Sequence, residues 1–193
     1  MELVLNLELP TSLNKLYTNQ ATFNPKTKQY VPTGKRILSK EGRACKMRLQ
    51  KYAKLQLREQ KDNWDYEYTK DNFIYMDTII YFNKRGRDDN NIYKLLCDAL
   101  EKIVYDNDSR VLIRTQRILY DKENPRVVVR LKPVKYRGIF RDQEQADEFE
   151  KNCETCSRYR KGSCSILKQA KQGFIQAELD ERTLTCHSYK CKK

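Results

Sequence analysis

Ile92, Leu95, Leu96, Ala99, Leu100 and Ile103 recur at steps of three and four residues, which lays them along one face of a helix. A chain with such a face must bury it, and the flanking segments supply the surface. Phe73 to Phe82 is dense in β-branched and aromatic residues and is the clearest strand in the sequence. Residues 111–120 and 126–131 also read as strands, and the turn-forming stretch Asp121-Lys122-Glu123-Asn124-Pro125 between them predicts an antiparallel hairpin. Near the start, residues 3–9 alternate from Leu5 onward and give a first strand that Pro10 ends. Residues 39–60 read as a long helix, with Ser39 as its cap and Leu38 as a staple. Its apolar side is Met47, Leu49, Tyr52, Ala53, Leu55 and Leu57, and Cys45 is expected to pack there. The order strand, long helix, strand, helix, strand pair predicts an α+β fold in which a mixed or antiparallel sheet packs with two helices.

The helix at 92–103 is bracketed by oxygen-bearing side chains. Asp88, Asp89, Asn90 and Asn91 stand before it, and Asp106, Asn107 and Asp108 follow it. Asn90 or Asn91 is expected to cap its first turn, and Lys94 and Asp98 share its polar side. If the following loop folds back, these oxygens converge beside Lys94 as a magnesium site requires. Short acidic runs also serve as plain solvated turns, so this pattern alone leaves both readings open. Lys84, Arg85 and Arg87 lie in a basic turn just upstream, placed to hold a phosphate backbone. Between Thr18 and Arg36 the chain is polar and broken by Pro25, Pro32 and Gly34, which predicts a loop. That loop interleaves Lys26, Lys28, Lys35 and Arg36 with Phe23 and Tyr30, a pattern suited to phosphates and unpaired bases.

The segment around the short helix resembles the core of RusA-type Holliday junction resolvases. Their pattern is Arg-Asp-x-Asp-Asn, a Lys three residues later, Asp-Ala-Leu, then Asp-Asp after a short loop. Arg87, Asp88, Asn91, Lys94, Asp98, Ala99, Leu100 and Asp108 match it, and Asn107 stands at the first loop acid. Thr-Ser-Leu-Asn-Lys-Leu-Tyr at 11–17 resembles the family's Pro-Ser-x-Asn-x-x-Tyr, and Ser39-x-Glu41-Gly42 also has its counterpart. The likeness runs over roughly residues 3 to 133. It implies a magnesium-dependent endodeoxyribonuclease that resolves four-way DNA junctions as a homodimer, whose two-fold axis suits paired cuts. It further implies that Asp88, Asp108 and the position of Asn90 bind the metal, that Lys94 steadies the scissile phosphate, and that Arg87, Asn91 and Asn107 orient substrate and ligands.

One departure bears on activity. The second carboxylate of the family's Asp-x-Asp falls on Asn90, an amide that offers an oxygen without a charge, which predicts an impaired or inactive nuclease. Asp89 is a poor substitute on an extended backbone, since adjacent residues point to opposite sides. A natural form that binds without cutting and a deliberate aspartate-to-asparagine change made to trap a complex both account for Asn90, and the implied parent Arg-Asp-Asp-Asp-Asn favours the second. Two other functions compete: a non-cleaving binder of branched DNA, and a nucleic-acid-binding regulator that works through the C-terminal cysteines.

Those cysteines lie past the resemblance. The sequence divides into a core at 1–134, a basic linker at 135–141 and a cysteine-rich module at 142–193 that opens with an acidic helix near Asp142. Seven cysteines in a chain with no secretion signal point to reduced thiols and a metal, not to disulfides. Cys153-x2-Cys156 with Cys164 and Cys186 predicts a structural zinc site, with His187 or Cys191 as substitutes for the last ligand and with an iron-sulfur cluster or free cysteines in a tail as the rivals. The formal net charge of +13 suits a polyanionic partner. No apolar run is long enough for a membrane span, and the expected location is the cytoplasm of a bacterial or phage-infected cell.

Overall fold

A computed structural model describes residues 1–180 and 182–192. The chain forms two compact units, Met1–Pro133 and Val134–Lys193. The first contains β1 (Leu3–Glu8), α1 (Leu13–Leu16), β2 (Tyr17–Asn24), β3 (Gln29–Leu38), α2 (Lys40–Glu59), α3 (Tyr68–Asp71), β4 (Ile74–Phe82), α4 (Asn90–Leu100), β5 (Val111–Tyr120) and β6 (Arg126–Pro133). The second contains α5 (Gln143–Cys153), α6 (Ser165–Lys171), β7 (Leu179–Asp180) and β8 (Thr185–Cys186). Among the described residues no helix is long and apolar enough to cross a membrane. The α+β class read from the sequence holds.

A four-stranded sheet in the order β1-β6-β4-β5 organises the first unit. Alternation turns Leu3, Leu5 and Leu7 of β1 and Val127, Val129 and Leu131 of β6 to one face, and all are buried. Against them pack α2, through Cys45, Leu49 and Ala53, and α4, through Ile92, Leu95, Leu96, Ala99 and Leu100. Ser39 caps α2 as expected, accepting from the Gly42 amide at 2.9 Å. The last turn of α4 stops at Leu100, yet Ile103 still packs against the core from the turn that follows.

The strand pairing corrects the sequence reading. β5 and β6 do not pair as a hairpin: β5 runs parallel to β4, with Ile80 opposite Ile118, and β6 inserts antiparallel between β1 and β4. The reason is α4. A helix that crosses over a sheet returns the chain parallel to the strand it left, so β5 must lie alongside β4 in the same direction. The apolar alternation of β6 then earns it the buried central place, while β5 stays an exposed edge.

The expected loop at 18–36 is also corrected, because β2 and β3 form an antiparallel two-stranded sheet of their own. Of the residues read as breakers, Pro25 opens the turn, Pro32 pairs with Ala21 inside β3 and Gly34 falls at the register shift between the Asn19 and Ala21 pairs, while Thr22, Phe23, Tyr30 and Val31 supply strand formers on facing positions. The short α1 ahead of it lies tight against α2. A Cβ on Gly42 would stand 2.9 Å from both the Leu16 Cδ1 and the Leu16 carbonyl oxygen, so only glycine permits this approach.

The second unit has a small core of Phe140, Ala146, Phe149, Ile166, Leu167, Ala170 and Leu179. Asp142 caps α5 by accepting from the Gln145 amide at 2.8 Å. The segment 135–141, read as a linker, contributes buried Phe140 to this core and so belongs to the unit. Arg160 and Ser163 exchange backbone hydrogen bonds around Lys161 and Gly162, both at positive φ, which closes a two-residue hairpin turn before Cys164.

Candidate active site

β4 carries the chain into the acidic segment through the exposed residues Asn83, Lys84, Arg85 and Gly86. Asp88 then accepts from the amide of Asn90 at 2.9 Å. The first turn of α4 is therefore met by Asp88, not by Asn90 or Asn91 as the sequence suggested, because both amides already lie inside the helix. Asp89 turns the other way. Its carboxylate accepts from the Thr115 hydroxyl on β5, and Thr115 and Thr78 both hydrogen-bond the Tyr93 hydroxyl. Burial pushes the Tyr93 phenol up despite the two threonine hydrogen bonds, so it stays neutral and ties the start of α4 to β4 and β5.

Arg87, Asp88 and Asn91 line a cleft of about 530 Å³, and α1 and α2 supply its other wall. Ser12 stands just before the first, which supplies Asn14 and Lys15, and Glu41 comes from the start of the second. The sequence reading missed these as site residues, although Ser12, Asn14 and Glu41 sit in the two stretches that carried the family likeness. Asn90, Lys94, Asp98 and Asp108 do not line this cleft.

Asn90 opens α4, Lys94 and Asp98 lie further along it, and Asp108 stands in the turn after it. Lys94 donates to Asp98 at 2.7 Å, one helical turn away. That hydrogen bond, ahead of the fields of Asp98, Asp108 and Tyr17, raises the Lys94 pKa and keeps the amine charged. Asp108 donates its amide to the Glu101 carboxylate at 3.4 Å, and Asn107 accepts from the Ser109 amide at 2.9 Å. Cys97 on the same stretch is pushed up to about 11 by burial and stays a thiol. Among the described residues no three His, Cys, Asp or Glu side chains are gathered as a metal ion would hold them. Asp88 lines the cleft and Asp108 does not; their carboxylates and the Asn90 amide oxygen are the kind of group a hard cation takes, whereas the protonated Lys94 offers charge alone.

The cations expected to hold DNA are placed in two groups. Lys84, Arg85 and Arg87 are exposed on the β4–α4 turn, with the Arg85 guanidinium 5.9 Å from the Tyr120 ring. Lys35 and Arg36 lie on β3, and Arg36 stands 5.3 Å from the centre of the Tyr17 ring. A third charged cluster went unnoticed in the sequence. Asp77 on β4 is 8% exposed and meets Arg114 at 2.6 Å and Lys132 at 2.8 Å. Burial works to raise its pKa, but these two cations outweigh it and hold the carboxyl below its ordinary value. With both oxygens engaged, Asp77 is a structural ion pair of the sheet.

In the second unit Cys153, Cys156, Cys164 and Cys186 line one small pocket, which His187 and Cys191 do not. The Cys164 sulfur accepts from the Leu167 amide at 3.4 Å at the start of α6, and the Cys156 sulfur from the Lys190 amide at 3.5 Å.

A family model described as "Endodeoxyribonuclease RusA" matches residues 10–132, which takes in the cleft, α4 and the loop to Asp108. No curated protein matches the chain.

Proposed function

Because this chain belongs to the RusA endodeoxyribonuclease family, we propose that it is built to cut four-way DNA junctions with magnesium, as a homodimer, and that Asn90 impairs the cutting. What carries the reading is that the matched stretch brings Arg87, Asp88 and Asn91 to one cleft and keeps a charged Lys94 with Asp98 on the same helix. Magnesium takes one or two carboxylates and completes its shell with water and phosphate oxygens, so Asp88 and Asp108 with the Asn90 oxygen suit it chemically. When bound, the ion supplies an activated water and neutralises charge at the phosphate. Lys84, Arg85 and Arg87 hold the DNA backbone, together with Lys35 and Arg36 on β3. Asn91 orients the substrate at the cleft, and the Lys94 amine meets the charge that grows on the phosphate. Asn90→Asp is the test: it returns the missing charge at an exposed position, and magnesium-dependent cleavage of a four-way junction should rise.

A second reading keeps the junction and drops the cut. Asn90 favours it, since an amide preserves the shape of the site while removing a ligand charge. Junction affinity that persists with no cleavage after Asn90→Asp would select it.

For the second unit we propose a structural zinc ion on the thiolates of Cys153, Cys156, Cys164 and Cys186. Support comes from their common pocket and from backbone donors to the Cys156 and Cys164 sulfurs, which favour thiolates. The core of this unit is small, and domains of such size commonly rely on a metal. Purified protein is expected to carry one zinc per chain, lost with Cys153→Ser together with protease resistance of residues 134–193. Metal-free protein whose second unit resists protease equally with and without chelator contradicts the assignment, and visible absorbance with bound iron selects the cluster instead.

A further inference from the structure

The β2–β3 hairpin buries very little of itself. It forms its own two-stranded sheet, and every residue of β3 before Leu38 is exposed. Isolated two-stranded ribbons are marginal in water, so this one is not explained by its contribution to the core. Its chemistry is one-sided. From Tyr17 to Leu38 there is no aspartate or glutamate, while Lys26, Lys28, Lys35 and Arg36 supply four cations. Next to the turn, Phe23 and Tyr30 face each other as register partners with ring centroids 5.5 Å apart, edge to face. They are 54% and 74% exposed, and Val31 beside them is 43% exposed.

We propose that this hairpin is an arm that grips branched DNA, with Phe23 and Tyr30 stacking on bases unstacked at the branch and the lysines on the adjoining phosphates; the proposal rests on the branched-DNA reading above. An aromatic pair set among cations and free of carboxylates matches the two faces of a nucleic acid strand, flat apolar bases and an anionic backbone. Base pairs inside a continuous duplex are closed to such stacking, whereas the open centre of a four-way junction exposes the faces of the pairs that border it. The arm is rooted at the cleft. Tyr17 opens β2 directly after α1, whose Asn14, with Ser12 just before the helix, lines the cleft beside Asp88, and Arg36 covers the Tyr17 ring. Phe23 lies six steps along the strand from Tyr17, a reach of roughly 20 Å at ~3.3 Å per residue. The tip therefore touches DNA beyond the phosphate held at Asp88 and reads branching instead of performing the cut.

The test uses the full chain in EDTA, so that binding is measured without cleavage, on a four-way junction and on a duplex of the same sequence. A fluorescent base analogue at the crossover reports stacking. Phe23→Ala with Tyr30→Ala is expected to weaken junction binding by about tenfold or more, leave duplex binding within about twofold, and abolish the fluorescence change. Phe23→Trp, which keeps a stacking face, retains junction preference. Lys26→Gln with Lys28→Gln weakens both DNAs alike and lowers the salt dependence of binding. Both rings are exposed, so their removal leaves the core of the unit untouched, which circular dichroism checks. A double alanine variant that keeps wild-type junction preference, or that loses junction and duplex affinity equally, overturns the arm alone. Wild-type protein that shows no preference for the junction over the duplex overturns both the arm and the branched-DNA reading.

Discussion

Lys94→Ala, made in the Asn90→Asp protein, is expected to lower magnesium-dependent junction cleavage by ~10²-fold or more while junction affinity changes by less than about fivefold. A fixed cation that meets charge built up in the transition state contributes on that scale, because it acts on the rate and little on ground-state binding. Lys94 is placed for this role: its amine is half exposed, held by Asp98 at 2.7 Å, and kept protonated by that hydrogen bond. Its raised pKa means it carries its charge throughout the neutral range, so the loss should be independent of pH between about 6 and 9. The pair with Asp98 is an exposed ion pair within one helix, and its removal changes stability by well under ~1 kcal/mol. A fall in cleavage matched by a fall in thermal stability would point to a structural role, and unchanged cleavage would remove Lys94 from the chemistry.

Gly138→Ala is expected to unfold the second unit while the first stays intact. Gly138 has φ +61, and a Cβ there would stand 2.0 Å from the Ala170 carbonyl oxygen and 2.6 Å from the Lys171 carbonyl carbon. These are backbone atoms at the end of α6, where the Ala170 carbonyl also accepts from Ile139 and Gly173. A flexible side chain can move aside, but here the helix end itself must shift. Left-handed strain and overpacking together cost about 3 kcal/mol or more, against the few kcal/mol that a unit with so small a core commands. Limited proteolysis checks this: residues 134–193 should be digested at a protease dose that leaves Met1–Pro133 whole. Equal resistance of both units in the variant contradicts it.

Much of the first unit was legible because its signals are local. The step of three and four in Ile92 to Leu100 and the cap at Ser39 need no knowledge of the rest of the chain, and β4 is marked by composition alone. Pairing is not local. A short turn between β5 and β6 looks like a hairpin until α4 commits β5 to run parallel with β4, and β6 is claimed by the gap between β1 and β4. The hairpin at Tyr17–Leu38 was hidden for a different reason, since a proline in its turn and a proline and a glycine inside β3 outweighed a few facing β-formers. At the cleft, Arg87, Asp88 and Asn91 were named from their pattern, while Lys94, named with them, does not line it. Ser12, Asn14 and Glu41 were not, because they reach the cleft only through the close approach of α1 to α2 that Gly42 allows. Asp89 was set aside on the premise of an extended backbone, but its backbone is helical (φ −66°, ψ −33°), and it is the Thr115 hydroxyl that engages its carboxylate.

The most direct measurement is a magnesium titration of this chain and its Asn90→Asp variant, side by side, on a four-way junction and on plain duplex. The variant should bind the ion more tightly and cut the junction ~10²-fold faster or more, as the return of one ligand charge requires, with the duplex left whole. An Asn90→Asp protein that binds no magnesium and cuts neither DNA contradicts the nuclease account.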